Sequence, residues 1–216
     1  MDAGTDIRAL YRRMMKNNLV IIGYNQWEEY TEPLVRQAEA MLPGWGIMVV
    51  DNGSEPPYPQ AGTWTVRSDN QSLSRAINAG IDMLGQDWEW AIVLNNDVVL
   101  TGVPDISRLN PQALYGMEFC KFYLLGWCMA ISRQLWQRVG KFDERYTGMS
   151  YEDVDYSFRV LLEGMPLHAV DLPFIHLEHK SWHLLPLDQK RIENKEKFRQ
   201  KFREVGDQHP GAYHSI

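Results

Sequence analysis

The stretch AIVLNNDVVLTG, Ala91–Gly102, decides the fold. An apolar run, Ala91–Leu94, enters the polar triplet Asn95-Asn96-Asp97 and then turns apolar again. A short continuous apolar run bounded by turn signals reads as a strand buried on both faces. Its polar end has two explanations. Asn and Asp favour turns because their side chains bond nearby backbone. Alternatively, a carboxylate at a strand end can bind Mg²⁺ or Mn²⁺, which take hard oxygen ligands and often bridge to phosphates.

Upstream, LVIIG (Leu19–Gly23), GIMVVD (Gly46–Asp51) and TWTV (Thr63–Val66) have the same strand character. Between them, EEYTEPLVRQAEAML places Leu34, Ala38, Met41 and Leu42 on one helical face, with Pro33 tolerable in the first turn. QSLSRAINAGIDML places Leu73, Ile77, Ile81 and Leu84 at helical spacing. Strand, helix, strand, strand, helix, strand predicts an α/β fold with a largely parallel sheet. Ligands of such sheets sit beyond the carboxyl ends of the strands. Tyr24-Asn25, Asp51-Asn52, Asn70 and Asn95-Asn96-Asp97 all fall at or near those ends.

The second half is less regular. FYLLGWCMAIS (Phe122–Ser132) reads as an extended segment with Gly126 in its middle, and RQLWQRVG as a short helix. SYEDVDYSFRVLLEG reads as a helix burying Val154, Phe158, Leu161 and Leu162, stopped by Gly164. PLHAVDLPFIHLEH reads as strands, and LDQKRIENKEKFRQKFREVG as a charged helix with Ile192, Phe198 and Phe202 as its apolar stripe. One domain spanning 1–216 is expected, with an N-terminal extension over 1–18 and a helical tail over 183–216.

Composition narrows the function classes. The chain has 216 residues, a net charge of −6 and a pI near 5.5, which argues against binding nucleic acid through a broad basic surface. Two cysteines cannot build a disulfide framework, so a reducing, cytoplasmic setting is expected. No run of apolar residues is long enough to span a bilayer, and MDAGTDIRALYRRMMKNN has no signal-peptide core. Any membrane association is expected to be peripheral.

Three further constellations carry possible chemistry. Glu152-Asp153-x-Asp155 opens a helix; Ser150-x-x-Asp153 resembles a capping box, while a carboxylate on a rigid helix start can also serve as a general base. The adjacent acid Glu152 would help keep one pKa from falling too low. His176-x-x-His179 follows an apolar strand. Imidazole ligates Mn²⁺ or Zn²⁺, but the two-residue period of a strand lets at most one of these rings share a metal with Asp97. Gly126-Trp127-Cys128 either packs in the core or sets backbone and an indole face beside an acceptor.

Taken in order, LVIIGYN, VVDNGS, DNQSLSRAINAG, VLNNDVVL, GWCMAISRQLWQRVGKFDERY, YEDVDYSFRVLLEG and IHLEHKS resemble the family 2 glycosyltransferases of GT-A fold, and ENKEKFRQKF resembles the closing helix of rhamnosyltransferase-like members. The resemblance implies an inverting, metal-dependent transfer of a hexose from a nucleoside diphosphate sugar to a hydroxyl. UDP-sugars are the expected donors and dTDP-sugars the runner-up; the acceptor is a glycan, a lipid-linked sugar or a protein. It implies that Tyr24, Asn25 and Asp51 line the base pocket, and that Asn70, Ser74 and Arg75 run along the nucleotide and diphosphate. Asn95-Asn96-Asp97 stands in for the DxD motif, with Asp97 and His176 holding Mn²⁺ or Mg²⁺. Asp153 falls at the catalytic base, and Gly126, Trp127 and Glu152 on the acceptor side. One departure matters: Asn95 replaces the first acid of the motif. An amide oxygen is the weaker cation ligand, which keeps open a catalytically weak or inactive sugar-nucleotide-binding relative.

Overall fold

The computed structural model describes residues 15–59, 64–68, 72–177 and 187–203. Strands β1 (Asn17–Gly23), β2 (Gly46–Asp51), β3 (Trp64–Arg67), β4 (Trp90–Asn95), β6 (Leu114–Gly116), β9 (Cys128–Ser132) and β10 (Leu167–Ala169) form a seven-stranded sheet in the order β10-β6-β9-β4-β1-β2-β3. The pairs β1–β2, β1–β4, β2–β3 and β6–β10 are parallel; β9 runs antiparallel to both β4 and β6. β5 (Val98–Leu100) pairs with β11 (Phe174–His176), and β7 (Phe119–Cys120) with β8 (Tyr123–Leu124), in two small antiparallel ribbons.

The continuous apolar runs are explained by layers on both faces. Leu19 and Ile21 of β1, Val49 of β2, and Ile92 and Leu94 of β4 face one core, shared with Leu34, Val35 and Ala38 of α1 (Glu32–Met41). The alternate residues Val20, Ile22, Met48, Val50, Ala91 and Val93 face the other. There they meet Leu73, Ala76, Ile77 and Ile81 of α2 (Leu73–Asp82), Leu135 of α3 (Arg133–Val139), and Tyr156 and Val160 of α4 (Glu152–Leu162). α2 lies so close that a methyl group on Gly80 would stand 2.6 Å from Val20 and 2.8 Å from Val50. A smaller aromatic cluster fastens α5 (Leu187–Lys201) to α4 through Val154, Phe158, Phe198 and Phe202.

Several expectations shift. β1 starts at Asn17 and Met15 is buried, so the sheet and its core take in residues of the segment assigned to the extension. Phe122–Ser132 is two strands, not one: β8 folds back on β7, and β9 starts afresh after Gly126. Leu161 and Leu162 are 41% and 47% exposed. α4 is wedged between the sheet and α5, so its 154/158 and 156/160 positions face protein and 161/162 face away. Ile192 is likewise exposed, while Phe198 and Phe202 are buried. Among the described residues no helix is long and apolar enough to cross a membrane.

Candidate active site

Because β1, β2 and β4 are parallel, Gly23, Asp51 and Asn95 end on one rim of the sheet. The antiparallel β9 brings its first residue to the same rim, with Cys128 opposite Leu94. The Asn95 N–H donates to the Trp127 carbonyl at 3.0 Å, and the Asn52 N–H to the Gly23 carbonyl at 2.8 Å. Loops from four strands are thereby fixed side by side.

Pairing of β5 with β11 sets His176 opposite Val98, one residue from Asp97. The Leu177 N–H donates to the Asp97 carbonyl at 2.9 Å. The outcome is a contact of 3.2 Å between Asp97 Oδ1 and His176 Nε2, with Asp97 only 2% exposed. The His176 ring stacks on the Trp127 indole, centroids 4.7 Å apart and planes 3° from parallel. This oxygen–nitrogen pair suits Mn²⁺: donors on adjacent corners of an octahedral ion, each about 2.1 Å from it, lie about 3 Å apart. Among the described residues no group of three His, Cys, Asp or Glu is arranged to hold a metal. A cation here would need oxygens from a ligand to complete its shell. His179 lies outside the described residues, as does Asn70.

The remaining triplet residues divide their roles. Asn96 is buried, and its amide donates to Thr31 Oγ1 at 3.0 Å. Asn95 lines both cavities described below.

Asp51 and Asn25 act chiefly as pins. Asp51 accepts the Ser54 N–H at 2.8 Å and the Tyr58 N–H at 3.0 Å, one on each carboxylate oxygen. Asn25 receives the Glu55 N–H at 2.9 Å on its side chain, gives its own N–H to Ser54 Oγ at 2.8 Å, and accepts the Tyr58 hydroxyl on its carbonyl. Together they fold the 52–58 loop into a wall. Sequence patterns put Asn52 only at a strand end, yet its Oδ1 is buried with no partner among the described residues, and the residue lines a cavity. An unpaired buried acceptor is costly unless a ligand or water satisfies it. Ser74 and Arg75 line neither cavity: Ser74 is buried, and Arg75 extends to Glu144 at 3.5 Å.

Across the cleft, α4 begins after two residues held in left-handed backbone, Ser150 (φ 84°) and Tyr151 (φ 74°). The capping box does not form. Tyr151 is the N-cap, it makes no side-chain cap bond, and Ser150 Oγ has no partner among the described residues. Asp153 turns toward the Gly126 loop instead. Its Oδ2 accepts the Gly126 N–H at 3.1 Å and its Oδ1 the Val154 N–H at 2.8 Å. A side chain at 126 would crowd it, since a methyl there would sit 3.1 Å from the Asp153 Cβ.

Burial, reinforced by the charge of Asp153, pushes Glu152 up to about 8. Burial also raises Asp153, but backbone N–H donors and the charge of Arg191 oppose it and hold it to about 6. Glu152 is 6% exposed whereas Asp153 opens partly onto the cleft, so of the two acids Glu152 is the one that keeps its proton at neutral pH. At neutral pH that leaves Asp153 a carboxylate of raised basicity.

The cleft is a cavity of about 700 Å³ whose walls include Trp127, Glu152, Asp153, His176, Phe122 and Arg191. A narrow annex of about 90 Å³ is lined by Gly23, Tyr24, Asn52, Asn95, Asn96 and Lys190, among others. Leu73, Asn95 and Met149 line both, so the two adjoin. Of the sequence-predicted site residues, Asn95, Gly126, Trp127, Glu152, Asp153 and His176 gather on the cleft, and Tyr24, Asn95 and Asn96 on the annex.

No family model matches the chain, and no curated protein matches it in sequence. Solved structures do. GalNAc-T7 with UDP, GalNAc and Mn²⁺ superposes with a TM-score of 0.58 at 10% identity, over 71% of this chain and 42% of that one. A mutant of Drosophila β1,4-galactosyltransferase 7 with manganese, UDP-Gal and xylobiose gives 0.56 at 13% identity, over 82% and 79%. S. aureus TarS gives 0.56 at 12% identity, over 74% and 36%. The chain thus spans less than half of the GalNAc-T7 and TarS chains. These neighbours establish the GT-A fold.

Proposed function

We propose that the chain is an inverting glycosyltransferase that moves a hexose from a nucleoside diphosphate sugar to an acceptor hydroxyl with help from Mn²⁺ or Mg²⁺. The observation that carries this is the ordering of the two acids on α4: a buried, proton-holding Glu152 beside an ionised Asp153 that faces the cleft containing His176. A base that titrates just below working pH is both ionised and strong enough to take a proton. The GT-A fold and neighbours solved with UDP, Mn²⁺ and sugars support the same reading.

In this reading Asp153 receives the acceptor hydroxyl proton as the oxygen bonds to the anomeric carbon. The bond to the donor phosphate breaks on the opposite face, and its electron pair leaves with the nucleoside diphosphate. The Gly126 N–H holds Asp153 in place. The Trp127 indole, braced by His176, offers a flat face to a sugar ring. Asp97 and His176 would hold the cation, which supplies charge stabilisation to the departing diphosphate. UDP is the expected base carrier and dTDP the runner-up.

Asp153→Asn is expected to abolish transfer while leaving UDP affinity, measured by calorimetry, within a few-fold of wild type. Full turnover by this variant would refute the assignment. Asn95 is the feature favouring a feeble or inactive relative. Mn²⁺-dependent release of free sugar from a UDP-sugar separates the two, because an inactive binder releases none.

A further inference from the structure

The donor's diphosphate needs positive charge, and the sequence offered Arg75 for it. That guanidinium lies beside Glu144 and reaches neither cavity. The annex, however, has a cation of its own. α5 crosses its mouth and lays Lys190 against Gly148, a glycine with φ 70°; a methyl there would stand 2.9 Å from Lys190 Cδ and 3.6 Å from its Nζ. The bare glycine backbone is thus a groove for the lysine stem. Among the described residues Lys190 makes no ion pair or hydrogen bond, and it is the only charged side chain lining the annex; the other described lining residues, Tyr24, Asn52, Asn95 and Asn96 among them, are uncharged.

We infer that Lys190 is a phosphate-binding residue: its ammonium holds the diphosphate of the donor nucleotide at the annex mouth and retains it there without a metal ion. The inference rests on the sugar-nucleotide reading above and adds a residue to it. A nucleoside diphosphate sugar carries negative charge on each phosphate and gains another when the sugar leaves. Asp97 and Asp153 nearby repel that charge. Asn95 withholds one carboxylate from any metal, so less of the balance can come from a divalent ion. An ammonium on a flexible four-carbon arm can follow the phosphate as its charge grows. Lys190 therefore shares the task of balancing phosphate charge with any cation that Asp97 and His176 would hold.

The test is calorimetric titration of uridine and UDP into wild type, Lys190→Ala and Lys190→Arg, each in excess EDTA and in MnCl₂. Lys190 is exposed, so all three proteins are expected to melt together. Wild type should bind UDP in EDTA. Lys190→Ala should lose roughly tenfold to a hundredfold of that affinity, the usual range for a hydrogen bond to a charged group, with a smaller loss in Mn²⁺. Uridine binding should be unchanged, and Lys190→Arg should recover most of the affinity for UDP. Equal UDP affinity for wild type and Lys190→Ala in EDTA would overturn the inference. So would an equal loss for uridine, or no UDP binding by wild type in EDTA when Mn²⁺ restores it. Wild type that binds neither UDP nor dTDP even with Mn²⁺ would instead sink the sugar-nucleotide reading, and Lys190 with it.

Discussion

Glu152→Gln isolates the acid pair from any assumption about substrate. In the folded chain burial pushes the Glu152 carboxyl up to about 8, from its ordinary value of 4.5. A carboxyl with a raised folded pKa binds its proton more tightly when folded. The resulting loss of stability is absent below pH 4.5, grows as pH rises, and levels off above pH 8. At pH 7 the unfolded chain has released this proton and the folded chain keeps it, a cost of about 3 kcal/mol at ~1.4 kcal/mol per pH unit. An amide of the same shape still accepts the backbone N–H groups that meet Glu152 and never has to ionise. The variant should therefore be the more stable by about 3 kcal/mol at pH 7, or roughly 6–12 °C in Tm for a chain of this size. The assay is a series of thermal melts of both proteins from pH 4 to pH 9. The gap should close at pH 4 and widen through pH 8. A gap independent of pH, or one of opposite sign at pH 8, would refute the protonation scheme. Because Asp153 titrates at about 6, while Glu152 is still neutral, the acid limb of the proposed transferase activity should stay near pH 6 in the variant.

Two further outcomes are expected. Asp97→Ala should weaken UDP binding in Mn²⁺ and in EDTA leave it equal or tighter, since the Asp97–His176 pair is assigned to the cation and the bare carboxylate repels phosphate; equal weakening under both conditions would count against that role. Gly80→Ala should lower stability by about 1–2 kcal/mol, because overpacking against Val20 and Val50 outweighs the ~1 kcal/mol gain in helix propensity, and a raised Tm would show that the α2–sheet contact can relax.

Strand runs such as Leu19–Ile22 were legible because burial on both faces leaves no polar alternation to decode. His176 and Asp97 were legible as a pair only through the order of motifs, since their contact depends on the β5–β11 register. Capping chemistry at Ser150 misled, because a Ser-x-x-Asp spacing does not reveal that the two residues after Gly148 and Met149 adopt left-handed backbone. Arg75 was read along the diphosphate from the order of motifs, and no local spacing could show its approach to Glu144, far along the chain. Lys190 was invisible. In a helix as charged as α5, a lysine reads as part of a solvated face, and only the packing of Phe198 and Phe202 against α4 turns it toward the annex. Asn52 was legible only as a residue at a strand end, since no spacing shows that its amide oxygen is buried without a partner among the described residues.

The reversed direction of β9 has a consequence for how the molecule can change. The Asn95–Trp127 backbone bond locks the proposed donor edge and the proposed acceptor edge at the spacing of one ladder rung, about 4.8 Å. That spacing works as a ruler that no side-chain substitution can easily alter. The β7–β8 ribbon, residues 119–124, hangs beyond the ruler's end and contributes its own wall to the cleft. On the proposed function, lengthening or exchanging that ribbon would retune which hydroxyl is admitted while the reacting atoms kept their distance. Diversity in the proposed acceptor choice can then accumulate in one hairpin, insulated from the chemistry by a single inverted strand.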